Sequence, residues 1–289
     1  EDASFRRYFR LRTADSSYIV MDAPPDKEPC DAFLVVAGKL RDAGLNAPRI
    51  LQKDRRQGFL LLTDFGDQSY LDVLNGESVG ELYADALDAI HRMQRNIDAS
   101  DLPAYDEALL RREMGLFRDW FLQRLLKLDL GGQQAADWQD TTDLLVDNAL
   151  QQPQVFVHRD YHSRNLMRLA QDNPGIIDFQ DAVRGPVTYD LVSLLRDCYI
   201  SWPQADVQHW VAGFHRAARP DRLKGVDAEQ FMQWFDLMGV QRHLKAVGIF
   251  SRLCLRDGKD KFVRDIPRTL GYVEAVAARL IKPVGLLIG

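Results

Sequence analysis

Apolar positions recur with two different periods along the chain, and the period changes near residue 66. Before it, short runs dominate: residues 4–11 and 17–21 read as strands separated by a polar turn at 13–16. Residues 49–52 read as another strand, and 58–63 as a buried one after the turn at 54–57. Between the pairs, Phe33, Val36, Leu40 and Ala43 fall at helical spacing and stop at Gly44. After residue 66 the helical period takes over. Leu82, Ala86, Ile90 and Met93 mark one face of a helix over 79–95, and Leu110, Met114, Phe117 and Phe121 one over 106–127. Gly131-Gly132 interrupts the pattern, which resumes over 135–150. Three short apolar runs follow: Val155-Phe156-Val157, then residues 166–169, joined through the turn-forming Asp172-Asn173-Pro174-Gly175 to Ile176-Ile177. A helix is expected over 191–200, opened by Asp190 as its N-cap, and 204–289 reads as further helices without an internal repeat. The expected class is therefore α+β, with a small sheet-rich lobe over 1–66 and a larger, mostly helical lobe over 67–289.

Composition narrows the function classes more than the fold. With 289 residues, 46% hydrophobic and 27% charged, the chain matches an ordinary globular protein large enough for a substantial core. A net charge of −5 argues against a nucleic-acid or anionic-membrane partner, either of which calls for a basic face. Cys30, Cys198 and Cys254 are odd in number, far apart and in no C-x-x-C pair, as expected of reduced thiols in the cytoplasm. No run of 18 apolar residues and no signal-peptide pattern is found in the sequence, which begins at Glu1. No obligatory protein partner is suggested.

The chemistry concentrates in two stretches, VFVHRDYHSRNLM (155–167) and GIIDFQD (175–181). The first strand-like run delivers His158, Arg159 and Asp160 into a polar loop that ends at Asn165. The hairpin that follows ends at Asp178, thirteen residues past Asn165. This is the H-R-D-x-x-x-x-N spacing with a following D-F-x element. Phosphoryl transfer from a nucleotide uses these residue types: one Asp orients the accepting hydroxyl and takes its proton, and an Asn and a second Asp hold the metal ions that bridge the phosphates. His158 and Arg159 are expected to brace the loop. Asp64-Phe65-Gly66 spells a similar triplet, but it precedes the loop by about a hundred residues. Residues 63–66 are read instead as a hinge whose backbone meets the adenine.

Five segments, EDASFRRYFRL (1–11), MDAPP (21–25), VHRDYHSRNLM (157–167), DFQDAVRGPVTYDL (178–191) and QRHLKAVGIFSRLCLRDGK (241–259), carry a resemblance over nearly the whole chain. The sequence resembles the aminoglycoside phosphotransferase and choline kinase superfamily, and within it the bacterial kinases of the anomeric hydroxyl of N-acetylmuramate and N-acetylglucosamine. The resemblance implies a two-lobed, protein-kinase-like fold, ATP and Mg2+ as co-substrate and cofactor, and an amino-sugar acceptor. It also implies a sugar 1-phosphate product used in peptidoglycan recycling. Asp160 is the expected catalytic base and Asn165 and Asp178 the expected metal ligands, while Ser4, Arg6, Arg7, Asp64 and Phe65 are the candidates for the nucleotide. Read from the residues alone, the acceptor is a hydroxyl compound of unspecified class. Another small-molecule kinase, of aminoglycoside, choline or homoserine type, and a non-catalytic nucleotide-binding module both stay open.

Two departures from the superfamily stand out. The lysine that would pair with the nucleotide phosphates is absent, with Met21 or Asp22 at its place. Its glutamate partner is absent too, the corresponding helical turn being Phe33-Leu34-Val35-Val36. Losing both members of a buried ion pair is tolerable where losing one is not. Arg6, Arg7, Arg10 and Arg12 crowd the first hairpin, either as a solvated strand face or with Arg6 or Arg7 reaching a phosphate. On the acceptor side the candidates are His162, Asp181, Arg196, Arg242 and His243. The polar stretch 241–245 reads either as a solvated helix face or as a source of a guanidinium for a sugar acid's carboxylate.

Overall fold

A computed structural model describes residues 5–280. In chain order the elements are β1 (Arg7–Arg12), β2 (Ser17–Asp22), α1 (Asp31–Asp42), β3 (Ile50–Asp54), β4 (Phe59–Thr63), α2 (Tyr70–Val73) and α3 (Val79–Asn96). Then come α4 (Glu107–Leu116), α5 (Gln133–Leu150), β5 (Gln154–Val157), β6 (Leu166–Met167), β7 (Gly175–Ile176) and β8 (Val183–Pro186). The chain continues with α6 (Tyr189–Leu195), α7 (Gln204–Ala218), α8 (Ala228–Asp257) and α9 (Ile266–Leu280). A small antiparallel sheet and a mostly helical remainder make this the expected α+β class. The elements fall into two compact units. One holds the residues to Asp98 with His158–Ala182, the other Ala99–Val157 and the residues from Val183 on.

In the first unit the sheet runs β1-β2-β4-β3, every pair antiparallel. Tyr8 lies opposite Met21, and Met21 opposite Leu60, so these side chains share one face of the sheet. Helix α1 forms because Phe33, Val36, Ala37 and Leu40 make one buried stripe, and it stops where Gly44 takes a φ of +73°. Helix α3 buries Leu82, Ala86, Ile90 and Met93, the spacing expected of it. The β6–β7 hairpin is tied to this unit by the Ile176 N–H donating to the Asn46 carbonyl at 2.8 Å. Asn173, in its turn, donates to Tyr70 Oη and Asp85 Oδ2, each at 2.7 Å.

The second unit is built round α8. This helix spans 30 residues, about 45 Å at about 1.5 Å per residue. Asp227 caps its start by accepting the Gln230 N–H at 2.8 Å, and Gly258, in the left-handed region, closes its end. Helices α4, α5, α6, α7 and α9 all pack against it. Enclosure on every side overturns the solvated-face reading of 241–245: Gln241, Arg242, His243 and Lys245 are all buried. The continuous helix expected over 106–127 is also corrected, because after α4 the chain turns into π-helix over Phe117–Leu125. At that junction α8 presses directly on backbone, and a β-carbon on Gly248 would lie 2.4 Å from the Leu116 carbonyl carbon. Asp190 lies inside the first turn of α6, whose N-cap is Thr188, so it is not the cap. The antiparallel pairing of β5 with β8, Val157 opposite Val183, had no signal in the apolar pattern.

Candidate active site

The loop carrying the H-R-D-x-x-x-x-N spacing is held by bonds at each end. His158 is wholly buried; its Nε2 donates to the Ile177 carbonyl at 3.1 Å, and its Nδ1 accepts the Asp160 N–H at 3.3 Å. That pattern requires the neutral ring, and burial, aided by the field of His162 and opposed by Asp160, pushes its pKa down to about 4. The imidazole thus bolts the residue of interest, Asp160, to the strand that delivers Asp178. Tyr161 donates its hydroxyl to the Ala86 carbonyl of α3 at 3.0 Å, and the Leu71 N–H donates to the Ser163 carbonyl at 3.0 Å.

Asn165 joins the two acidic residues. Its Nδ2 donates to the Asp160 carbonyl at 3.0 Å and to Asp178 Oδ2 at 3.2 Å. With the amide nitrogen engaged twice, Oδ1 is the atom available to a cation. Gln180 donates from Nε2 to Asp178 Oδ1 at 2.9 Å. Arg159 and Asp178 both take left-handed backbone conformations, with φ of +75° and +64°. Such conformations cost about 1–3 kcal/mol each in a non-glycine residue and persist where the surroundings enforce them. The Arg159 guanidinium donating to the Asp181 carbonyl at 3.3 Å is part of that enforcement. Phe179 stacks obliquely on Phe33 of α1 at 4.8 Å, anchoring the residue after Asp178.

The carboxyl of Asp178 opens to solvent, yet the protein around it limits its hydration. That desolvation raises its pKa above the usual carboxylate range, Asp160 and Asp181 push the same way, and Gln180 and Arg6 oppose them. Two mutually repelling carboxylates and an amide oxygen suit a divalent cation. Among the described residues no three or more His, Cys, Asp or Glu side chains gather as a metal-binding group. Magnesium fits such a partial set, since it takes one or two carboxylates and completes its shell with water and substrate phosphates.

The remaining candidates are placed as follows. Ser4 lies outside the described residues. Arg6 pairs with Glu28 at 3.1 Å, and Arg7 pairs across the hairpin with Asp22. Asp64 is engaged by Arg10 at 2.6 Å and accepts the Gly66 N–H at 2.9 Å. Burial works against its charge, but the bonds from Arg10, Gly66 and Ser17 hold its pKa below the usual range. Phe65 packs on Gly175 of β7 so closely that a β-carbon there would lie 2.8 Å from its ring. His162 is half-buried within the loop, and Asp181 is exposed just after Asp178. Arg196, Arg242 and His243 lie buried in the second unit. There Arg196 pairs with Asp236 at 2.5 Å, while His243 bonds the Arg196 carbonyl at 2.9 Å and stacks on Tyr272. Arg242 approaches Cys198 Sγ at 3.7 Å, and burial, reinforced by the Arg242 and Arg196 charges, drives the His243 pKa down to about 3. Two polar residues that bond these candidates were missed, Gln180 to Asp178 and Glu28 to Arg6. The first sits within the D-F-x element and its position was a usable signal; the second had none.

The fold is that of small-molecule kinases. The choline kinase LicA from Streptococcus pneumoniae superposes with a TM-score of 0.66 at 12% identity, over 94% of this chain and 89% of that one. The AMP-bound complex of spectinomycin phosphotransferase, APH(9)-Ia, gives 0.66 at 12% identity over 94% and 91%. The chain belongs to the phosphotransferase enzyme family, whose model matches residues 1–231. It is 51% identical over 282 residues to the N-acetylmuramate/N-acetylglucosamine kinase of Pseudomonas aeruginosa, covering 96% of this chain and 82% of that protein. A protein of the same name in Neisseria meningitidis serogroup B is 44% identical over 96% of this chain and 84% of its own length.

Proposed function

We propose that this chain is an ATP- and magnesium-dependent kinase that phosphorylates the anomeric hydroxyl of N-acetylmuramate and N-acetylglucosamine. The observation that carries the reading is Asn165 bonding at once to the Asp160 carbonyl and the Asp178 carboxylate. That joint holds a base and a metal ligand in one piece within a phosphotransferase-family chain. The relatives named as kinases of both sugars supply the acceptor. The choice of the anomeric oxygen follows from the resemblance of the five motif segments.

Asp160 receives the acceptor hydroxyl and takes its proton as the hydroxyl oxygen bonds the γ-phosphorus of ATP and the bond to the β–γ bridging oxygen breaks, releasing ADP. The neutral His158 ring fixes the backbone from which Asp160 projects, so the carboxylate is aimed before the sugar arrives. Asn165 Oδ1 and the Asp178 carboxylate would hold magnesium, with Gln180 orienting Asp178. A cation held there would supply charge to offset that building on the transferred phosphoryl group. His162 and Asp181, flanking Asp160 and Asp178 in sequence, are the loop-side groups assigned to the acceptor's ring hydroxyls.

The reading is tested by incubating the protein with ATP, magnesium and each of N-acetylmuramate, N-acetylglucosamine, kanamycin, choline and homoserine. An acid-labile sugar 1-phosphate from the two acetylated sugars is the expected outcome. An acid-stable phosphate ester, or turnover only on kanamycin, choline or homoserine, would overturn it.

A further inference from the structure

A nucleoside triphosphate brought to Asp178 needs positive charge from the protein as well as from metal, and the arginines of the first hairpin are the candidates carried by the sheet. Met21 is wholly buried and uncharged, and the buried stripe of α1 is Phe33, Val36, Ala37 and Leu40, with no carboxylate to hold a cation. Arg7 lies directly across from Asp22 in the β1–β2 register and pairs with it, on the face opposite Tyr8 and Met21. Arg10 is engaged by Asp64 and Asp67 and donates to the Gly66 carbonyl at 2.9 Å.

Arg6 differs from both. It precedes β1 by one residue, and strand alternation puts it on the face of Tyr8 and Met21. Only 11% of its side chain is exposed. Glu28 holds it at two points: Oε2 lies 3.1 Å from Arg6 Nε, and Oε1 accepts the Phe5 N–H at 2.8 Å. One carboxylate therefore fixes both the guanidinium and the backbone that carries it.

We propose that the Arg6–Glu28 pair takes the place of the missing lysine–glutamate pair. Arg6 binds the nucleotide phosphates, and Glu28, supplied by the segment between β2 and α1 rather than by α1 itself, is its positioning residue. The proposal rests on the kinase reading above. It follows the physical logic of an ion pair moved as a unit: the cation and its anchor have both changed position, so neither is left buried alone. An arginine gains here over a lysine because its planar fork can keep Glu28 on one edge and present other N–H groups to a phosphate.

The test compares ATP and adenosine binding by titration calorimetry for the wild type and for Arg6→Ala, Arg6→Lys, Arg7→Ala and Glu28→Gln. Loss of a charge-assisted bond to phosphate should weaken ATP binding by about tenfold or more in Arg6→Ala, with adenosine affinity unchanged. Arg6→Lys should recover part of the loss. Glu28→Gln keeps an acceptor for Phe5 but not the charge, and should weaken ATP by about three- to tenfold while sparing adenosine. Arg7→Ala, whose guanidinium is held by Asp22 on the opposite face, should weaken ATP binding less than Arg6→Ala does. Unchanged ATP affinity in Arg6→Ala and Arg6→Lys, or an equal loss of adenosine, overturns the proposal. A wild type that binds no ATP would instead defeat the kinase reading itself.

Discussion

Lys245 offers a sharp test of how the helical unit is held together. It is 7% exposed, and its Nζ lies 3.2 Å from Glu113 Oε1, itself 5% exposed, and donates to Tyr189 Oη at 3.0 Å. Tyr105 donates its hydroxyl to the other Glu113 oxygen, and Gln241 donates to Tyr105 at 3.2 Å. At that separation and an effective dielectric of about 20, the direct attraction is about 5 kcal/mol, most of it offset by removing both charges from water. The pair is therefore worth little net, but its halves are not separable. Lys245→Met keeps the volume and leaves the Glu113 carboxylate without its cation, which should cost about 3–5 kcal/mol of unfolding free energy. Adding Glu113→Gln to that variant removes the orphaned charge while keeping an acceptor for Tyr105, and should restore about half of the loss or more. Urea unfolding at neutral pH, followed by far-UV circular dichroism, reads both. A loss below about 1 kcal/mol in the single variant, or a double variant whose loss is the sum of two singles, would refute the reasoning.

Three further outcomes follow from particular contacts. His158, neutral and buried with a pKa near 4, is protonated earlier in the unfolded chain than in the folded one. Stability should therefore be complete above about pH 6.5 and decline as pH falls towards 4, by about 3 kcal/mol for this group. Replacing it with Asn should flatten that decline in denaturant midpoints measured from pH 7 to 4, and an unchanged slope would count against the buried neutral ring. Gly248→Ala forces a β-carbon onto the Leu116–Phe117 backbone and should cost about 1–3 kcal/mol or more by urea denaturation; a neutral substitution would mean the two helices can separate freely. Asp178→Asn should raise the magnesium concentration needed for half-maximal turnover by about tenfold or more, and full chelation by EDTA should abolish transfer. Turnover that survives chelation would exclude the assigned metal role.

What the sequence conveyed depended on whether the cause was local. The α1 and α3 stripes were legible because each helix hides one face, so burial imposes the 3.6-residue period on the chain itself. That Asp160, Asn165 and Asp178 come together was legible because their spacing is that of one loop and one hairpin. Residues 241–245 were misread for the opposite reason. Over 234–245 the helix is enclosed and has no outer face, and its charged residues there are buried because partners such as Glu113 come from elsewhere in the chain. The π-helical stretch begins where Gly248, some 130 residues downstream, lies against the Leu116–Phe117 backbone, and no local pattern announces it. The arginines of the first hairpin look alike in sequence. Only Asp22, Asp64 and Glu28, brought up by the fold, distinguish them.

The central claim is that Asp160, held by His158 and Asn165, is the base for transfer from ATP to an amino sugar. The direct measurement is turnover of N-acetylmuramate and N-acetylglucosamine by Asp160→Asn beside the wild type, with ATP affinity determined on the same preparations. The account predicts turnover lower by about a hundredfold or more on both sugars, with ATP affinity kept within about threefold. Asp160→Asn turning over either sugar at close to the wild-type rate would contradict it.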